Sequence, residues 1–159
     1  MIQAFDGEHG WSVAPWAGTT DPQDMTEDEV KGIKEQADFE GSLYNWKEKG
    51  HKAELLGKED MDGTPVYKIK VEKANGNTET YFIDAENFVL LKTTSVMKVH
   101  GNETEGESYV SNYKDVNGVM MPFSIENKYK GQTVSNVVID KYGINNEIYD
   151  HLFEKPVKK

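Results

Sequence analysis

The chain has 159 residues, enough for one domain with a sizeable core, and 28 acidic residues against 18 basic ones give it a net charge of −10. There is no cysteine, which excludes disulfide frameworks, zinc–thiolate sites and thiol catalysis. Every basic residue is lysine, so the forked guanidinium group that reads phosphates and guanine edges is absent. Because the net charge also repels nucleic acid, we expect no nucleic-acid partner.

The N-terminal segment does not read as a secretory signal. Residues 1–7 contain neither a basic region nor a long apolar region. No apolar run in the chain approaches the ~20 residues of a membrane span, so we expect no transmembrane segment. Ile2 to Phe5 resembles the end of a strand that is entered without a preceding turn. We interpret residues 1–159 as a single domain, and as a fragment that lacks the signal and first elements of a longer precursor.

A helix is predicted near residues 27–38. Thr26 and Glu29 have the spacing of a capping box, in which each side chain accepts a hydrogen bond from the other residue's backbone. Val30, Ile33 and Ala37 then fall on one helical face. A second, short helix is predicted over 42–50, closed by a glycine at its C-terminal cap. The simplest role for these helices is to pack on a sheet.

An antiparallel meander is predicted near residues 52–142. Tyr67, Ile69 and Val71 alternate with charged residues, which is typical of a strand with one dry face and one wet face. Asn75-Gly76 and Asn117-Gly118 are hairpin signals, and short loops force antiparallel neighbours. We expect strands near 51–57, 65–73, 78–84, 88–99, 108–116, 119–129 and 133–142, with a polar loop over 100–106. The fold class is therefore mainly β (α+β), a curved antiparallel sheet with one or two helices.

No catalytic or metal-binding constellation is found in the sequence. The acidic turn that begins at Lys58 lacks calcium ligands at both ends of an EF-hand loop, and it reads better as a turn. The segment Gly106–Val110 lacks the second glycine of a nucleophile elbow. The four histidines are far apart and belong to no HExxH motif. We expect no catalytic residue, no metal and no cofactor, and we interpret the chain as not an enzyme.

The chain resembles the LolA-like outer-membrane lipoprotein-sorting family over most of residues 5–156. No single motif carries the resemblance, which rests on a series of short segments in order. They are Asp6-Gly7 with Gly10-Trp11 and Pro15, Phe39–Leu43, Leu56–Glu59, Asp62–Lys68, Tyr81–Asp84, Leu90–Lys92, Tyr113–Val119, Pro122-Phe123, Ile144-Asn145 and Phe153–Pro156. The resemblance implies a strongly curved sheet, an open half-barrel, covered by helices. It also implies a periplasmic protein of the bacterial envelope that holds the acyl chains of a lipoprotein between sheet and helices.

Candidate ligand-binding residues follow from the apolar positions of the predicted strands. A concave apolar face suits an acyl chain or another hydrophobic ligand. The alternative is that the same residues fill a core, because most buried apolar residues are structural, and a bulge would change which of them share a face. The predicted set is Ile69, Val71, Ile83, Leu91, Met97, Phe123, Ile125 and Val138.

Three functions remain open from the sequence. The first is a lipoprotein carrier or binding module for acyl chains. The second is an envelope structural or interaction domain with a filled core and no cargo, whose partners would be other envelope proteins. The third is a hydrolase, which would need a polar cleft with perturbed titrating groups.

Overall fold

The computed structural model describes residues 1–18, 20–99 and 102–156, and the side chains at 17, 97–99 and 102 lie outside that description. The backbone contacts divide the chain into two compact units. One consists of Met1–Gly41 with the chain from Gly143 onward, and the other of Ser42–Tyr142. Each unit has its own sheet. That the chain behaves as a single domain stays a prediction.

The first unit has a three-stranded antiparallel sheet of β1 (Ile2–Phe5), β2 (Gly10–Val13) and β3 (Gln23–Asp24). Helix α1 (Glu27–Gln36) contacts β1 and β2. The predicted capping box is confirmed, because the Glu29 amide donates to Thr26 Oγ1 over 3.3 Å and the Thr26 amide donates to Glu29 Oε2 over 2.7 Å. Short 3-10 turns lie at Pro15–Ala17 and Asp150–Leu152.

The C-terminal segment is attached to the first unit by two polar contacts. Trp11 is 8% exposed, and its indole Nε1 donates to the Phe153 carbonyl oxygen over 2.8 Å. Lys155 forms an ion pair with Asp24 over 2.8 Å. The indole hydrogen bond contributes more to stability than the ion pair, because leaving a buried donor without a partner costs free energy.

The second unit is an antiparallel meander of seven strands, as predicted. Each strand pairs with the next along the chain, so β4 and β10 form the two edges of an open sheet. The strands are β4 (Lys52–Met61), β5 (Thr64–Glu72), β6 (Thr78–Asp84), β7 (Leu90–Val99), β8 (Asn102–Val116), β9 (Val119–Tyr129) and β10 (Gln132–Val138). The mainly β fold class is thereby confirmed.

The hairpin turns follow from the sequence chemistry. Three connections are two-residue loops in which both residues have positive φ, at 62–63, 117–118 and 130–131. The backbone twist of such turns matches that of the flanking strands. The Asn75-Gly76 hairpin is present, but its loop is longer, and within the tight pair only Gly76 has positive φ, at 86°.

Two sequence predictions, one for the segment before the meander and one within it, were wrong. Residues 42–50 form consecutive turns instead of a second helix, because Asn45 has a φ of 48° and the Ser42 side chain bonds to strand β6. The polar segment at 102–106, predicted as a loop, belongs to β8. Its glutamates at 103 and 105 lie two residues apart, so both face solvent on the same side of the strand. An acidic composition therefore does not prevent this segment from pairing as a strand. Residues 100 and 101 of that predicted loop lie outside the described residues.

In the described part of the large sheet, three bulges change the alternation. The pairing shifts by one residue at Leu56 in β4, at the Leu90–Leu91 step in β7, and at Val134 in β10. A bulge places two residues opposite one and bends the strand. The bulges therefore decide which apolar residues of β7 and β10 lie on the same side of the sheet.

Candidate functional site

The strand pairing assigns an apolar row to one side of the seven-stranded sheet. Paired residues of neighbouring strands lie on the same face. Tyr67 pairs with Ile83, which faces the bulged Leu90 and Leu91, and Val110 pairs with Ile125, which pairs with Val137. These seven residues cross β5 to β10. We call this side of the sheet the apolar face and the seven residues the apolar row.

A second row on the apolar face is uncharged, and all of its residues except the first are polar. From β5 to β10 it consists of Ile69, Tyr81, Thr93, Ser108, Asn127 and Ser135. Among described side chains of β5 to β10, the register places only two charged groups on this face, Glu79 and Lys114. The face thus combines an apolar row with a neighbouring row of hydroxyl and amide groups.

The opposite side, which we call the charged face, has a contrasting composition. The cross-strand row Lys68, Phe82, Lys92 and Tyr109 alternates cations and aromatic rings. The Lys92 ammonium lies 5.6 Å from the centre of the Phe82 ring and 4.9 Å from that of Tyr109, within the range of cation–π attraction. Lys92 also forms an ion pair with Glu107. Charge is therefore segregated to this side of the sheet.

A polar cluster lies at one end of the apolar face. Ser42, which is 6% exposed, bonds to Glu79 and lies 2.7 Å from the Tyr81 hydroxyl, and Tyr81 donates to Glu79 Oε2 over 2.6 Å. Lys73 adds an ion pair to Glu79 over 3.3 Å. Burial acts to raise the pKa of Glu79, but the hydrogen bonds from Ser42 and Tyr81 and the charge of Lys73 hold it below its ordinary value.

The pKa of Tyr81 in this cluster shifts in the opposite direction to that of Glu79. Burial, followed by its hydrogen bond to the Glu79 carboxylate, raises the pKa of Tyr81 well above its ordinary value. Tyr81 therefore stays a neutral hydrogen-bond donor. A buried serine and a neutral tyrosine that both bond to one carboxylate suit an anchor for the 42–50 turns better than an acid–base pair.

Two solved structures share this fold, whereas no protein-family model and no curated protein matches the sequence. A LolA superfamily protein from Nitrosomonas europaea superposes with a TM-score of 0.52 at 15% identity, covering 94% of this chain and 67% of that one. The chain has the LolA fold. A putative outer membrane lipoprotein-sorting protein domain from Vibrio parahaemolyticus gives a TM-score of 0.51 at 13% identity, covering 86% of this chain and 62% of that one.

The LolA-like chain spans about two thirds of the length of these two proteins. The resemblance to the LolA-like family inferred from the sequence is confirmed at the level of the fold. Among the described residues, no helix is long and apolar enough to cross a membrane. The same residues contain no group of three or more histidines or carboxylates placed to hold a metal ion.

Most of the predicted ligand-binding residues lie on the apolar face of this LolA-like sheet. Ile69, Ile83, Leu91 and Ile125 are half-buried there, whereas Val71 and Phe123 are almost fully buried and pack inside the unit. Ligand binding by this set stays a prediction, because the register only assigns the face.

The two remaining predicted residues differ. Val138 pairs with Ser124 on the charged face and is 67% exposed, so grouping it with the apolar set was wrong. The side chain of Met97 lies outside the described residues.

Sequence reasoning missed four members of the apolar row. They are Tyr67, Leu90, Val110 and Val137. Tyr67 could have been found because it alternates with Ile69 along the same strand. Val110 could have been found because the Asn117-Gly118 turn fixes the register of β8 on β9. Leu90 and Val137 depend on bulges, which no local residue pattern announces.

Proposed function

We propose that the chain is a non-enzymatic binding module of the lipoprotein-sorting type, which holds an acyl chain or another hydrophobic ligand on its apolar face. The observation that carries the proposal is the segregation of charge between the two faces of one sheet. In a protein with a net charge of −10, the described side chains on one side of six consecutive strands include only two charged groups, and the apolar side chains there remain partly accessible. One structural neighbour is described as a putative outer membrane lipoprotein-sorting protein domain, and a periplasmic location is part of this proposal.

The apolar row has suitable dimensions for an acyl chain. Six strands about 4.8 Å apart give a row roughly 24 Å long. A chain lying on an open face buries about half of each methylene, or roughly 0.4 kcal/mol per group. About 16 methylenes then give roughly 6 kcal/mol, equivalent to a Kd in the tens of micromolar before the costs of association. We therefore expect a single chain to bind weakly and a ligand with several chains to bind more tightly.

Two substitutions at neighbouring positions test the proposal. Ile125 lies on the apolar row, and Ser124 lies on the charged face of the same strand, and both are half-buried. Ile125→Trp should obstruct the row and weaken binding of a fluorescent fatty-acid probe about tenfold or more, whereas Ser124→Trp should leave the affinity within about twofold. Urea denaturation of both variants controls for loss of the fold.

The outcomes separate the carrier from a domain without cargo. Probe binding by the parent chain that responds only to Ile125→Trp supports the proposal. If the parent chain binds no probe and Ile125→Trp instead costs about 1–3 kcal/mol by overpacking, the face is a filled core and the interaction domain is the better interpretation. Native mass spectrometry of the parent chain, after expression in a bacterial periplasm, is an independent test that identifies any ligand carried through purification.

A further inference from the structure

The bulge in β4 decides on which face of the sheet Lys58 lies. Before the bulge, Lys52 lies on the charged face. The pairing then shifts by one residue at Leu56, so Lys58 pairs with Tyr67 on the apolar face, whereas an unbroken strand would place it on the charged face. Gly57, within the bulge, has a φ of 129°, which residues with a side chain rarely adopt. Bulges that redirect a side chain in this way are frequent next to active sites.

Lys58 has no carboxylate partner among the described residues. Its side chain is exposed, its ammonium group lies 4.5 Å from the centre of the Tyr67 ring, and it forms no ion pair with a described residue. Three lysines of the charged face, in contrast, are each paired with a glutamate. The carboxylate two residues further along the same face, Asp60, accepts a hydrogen bond from the Gly63 amide over 2.9 Å. The ammonium group of Lys58 is therefore available to a ligand.

Lys58 is also in line with the apolar row. Tyr67 begins that row on β5, and Lys58 continues it by one strand, roughly 4.8 Å further across the sheet. Lys114, the other lysine on the described part of this face, lies four residues from Val110 along β8, roughly 13 Å from the row. A chain lying along the row therefore has a cation at its β4 end.

We infer that Lys58 binds the carboxylate of a single-chain acyl ligand, an unesterified fatty acid, whose chain lies along the apolar row from β5 towards β10. The inference rests on the proposed binding of acyl chains to this face and adds the class of ligand. A carboxylate carries one negative charge and matches one ammonium group. A phosphate monoester carries about 1.5 to 2 negative charges at pH 7, which suits a single cation near Asp60 less well in a protein with a net charge of −10.

Two ligands and two variants test the contact between the head group and Lys58. The ligands are a fluorescent fatty-acid probe and the methyl ester of the same probe, which differ only in the head group. Lys58→Met should weaken binding of the acid about fivefold, the effect of one exposed ion pair, and leave the ester within about twofold. Lys52→Met is the matched control, because Lys52 is exposed on the same strand but lies on the charged face, and both affinities should stay within about twofold.

Two further measurements accompany the titrations. Urea denaturation of Lys58→Met should give the parent midpoint, because the side chain is exposed. Raising the NaCl concentration from about 50 to about 500 mM should reduce the preference of the parent chain over Lys58→Met for the acid, since salt screens an exposed ion pair.

The outcomes separate this inference from the proposed function. If the parent chain binds both probes, and Lys58→Met changes neither affinity or changes both equally, the inference is overturned and acyl-chain binding stands. An effect of Lys52→Met as large as that of Lys58→Met would overturn it in the same way. Tighter binding of an alkyl phosphate than of a fatty acid of equal length would overturn the choice of a carboxylate. A parent chain that binds neither probe would overturn both the inference and the proposed function.

Discussion

Replacing Tyr81 by phenylalanine should destabilise the second unit through one hydrogen bond. The substitution keeps the ring and removes the hydroxyl that donates to Glu79 Oε2 over 2.6 Å. Hydrogen bonds to charged groups contribute roughly 1.5–3 kcal/mol. The Glu79 side chain is 21% exposed, so solvent screens the contact partly, and we expect a loss of about 1.5 kcal/mol at pH 7.

The loss should depend on pH with a definite sign. Glu79 has a folded-state pKa below its ordinary value, so its contribution to stability is fully present above the unfolded pKa of about 4.3 and is lost as pH falls through the folded pKa. Removing the Tyr81 hydroxyl returns the pKa of Glu79 towards that ordinary value. The stability difference between parent and variant should therefore be complete near neutral pH and shrink below about pH 4.

Urea denaturation at pH 7 and at about pH 3.5 measures both effects. Tyr67→Phe is the matched control, because Tyr67 lies on the same face of the neighbouring strand and its hydroxyl makes no hydrogen bond to a described residue. The control should change the free energy of unfolding by less than about 0.5 kcal/mol at either pH. If Tyr81→Phe costs the same at both pH values, the carboxylate is not the acceptor that matters and the reasoning fails.

Three further substitutions test local features, each measured by the urea midpoint against the parent chain. Thr26→Ala removes the cap of α1 and should cost about 1 kcal/mol, and an unchanged midpoint would mean that the capping box does not support the first unit. Gly118→Ala forces a side chain into a φ of 86° and should cost about 1–2 kcal/mol, whereas a stabilised variant would contradict the assigned turn. Trp11→Phe leaves the Phe153 carbonyl without its indole donor and should cost about 1–3 kcal/mol, with a neutral result excluding that bond as an anchor.

The meander and the helix could be predicted because their signals are local. The X-Gly pairs at 117–118 and 130–131 fix short antiparallel connections, and the capping box fixes the start of α1. The turns at 42–50 could not be predicted in the same way. Ser42 bonds to Glu79 and Tyr81, which lie 37 and 39 residues further along the chain, so a tertiary contact decides against the local helical pattern.

The sequence predicts which face of the sheet a residue lies on only where the strand alternates without a bulge. The turn at 130–131 fixes Thr133 opposite Lys128, and an unbroken strand would then pair Val138 with Phe123 on the apolar face. The extra residue Val134 shifts the register by one, so Val138 pairs with Ser124 and Val137 takes its place. A one-residue shift reverses the face of every later side chain, and the sequence gives no local sign of where the shift occurs.

The two faces of the sheet also differ in how much bonding capacity they leave unused. On the charged face, Lys68 pairs with Glu59, Lys92 with Glu107 and Lys128 with Glu126, so these three cations are already matched by carboxylates. On the apolar face, the half-buried hydroxyls of Thr93 and Ser108 bond to no described residue, and they border a row of partly exposed apolar side chains. A ligand on the charged face would first have to break ion pairs, whereas a ligand on the apolar face would displace only water. For this reason we assign binding to the apolar face and structural support to the charged one.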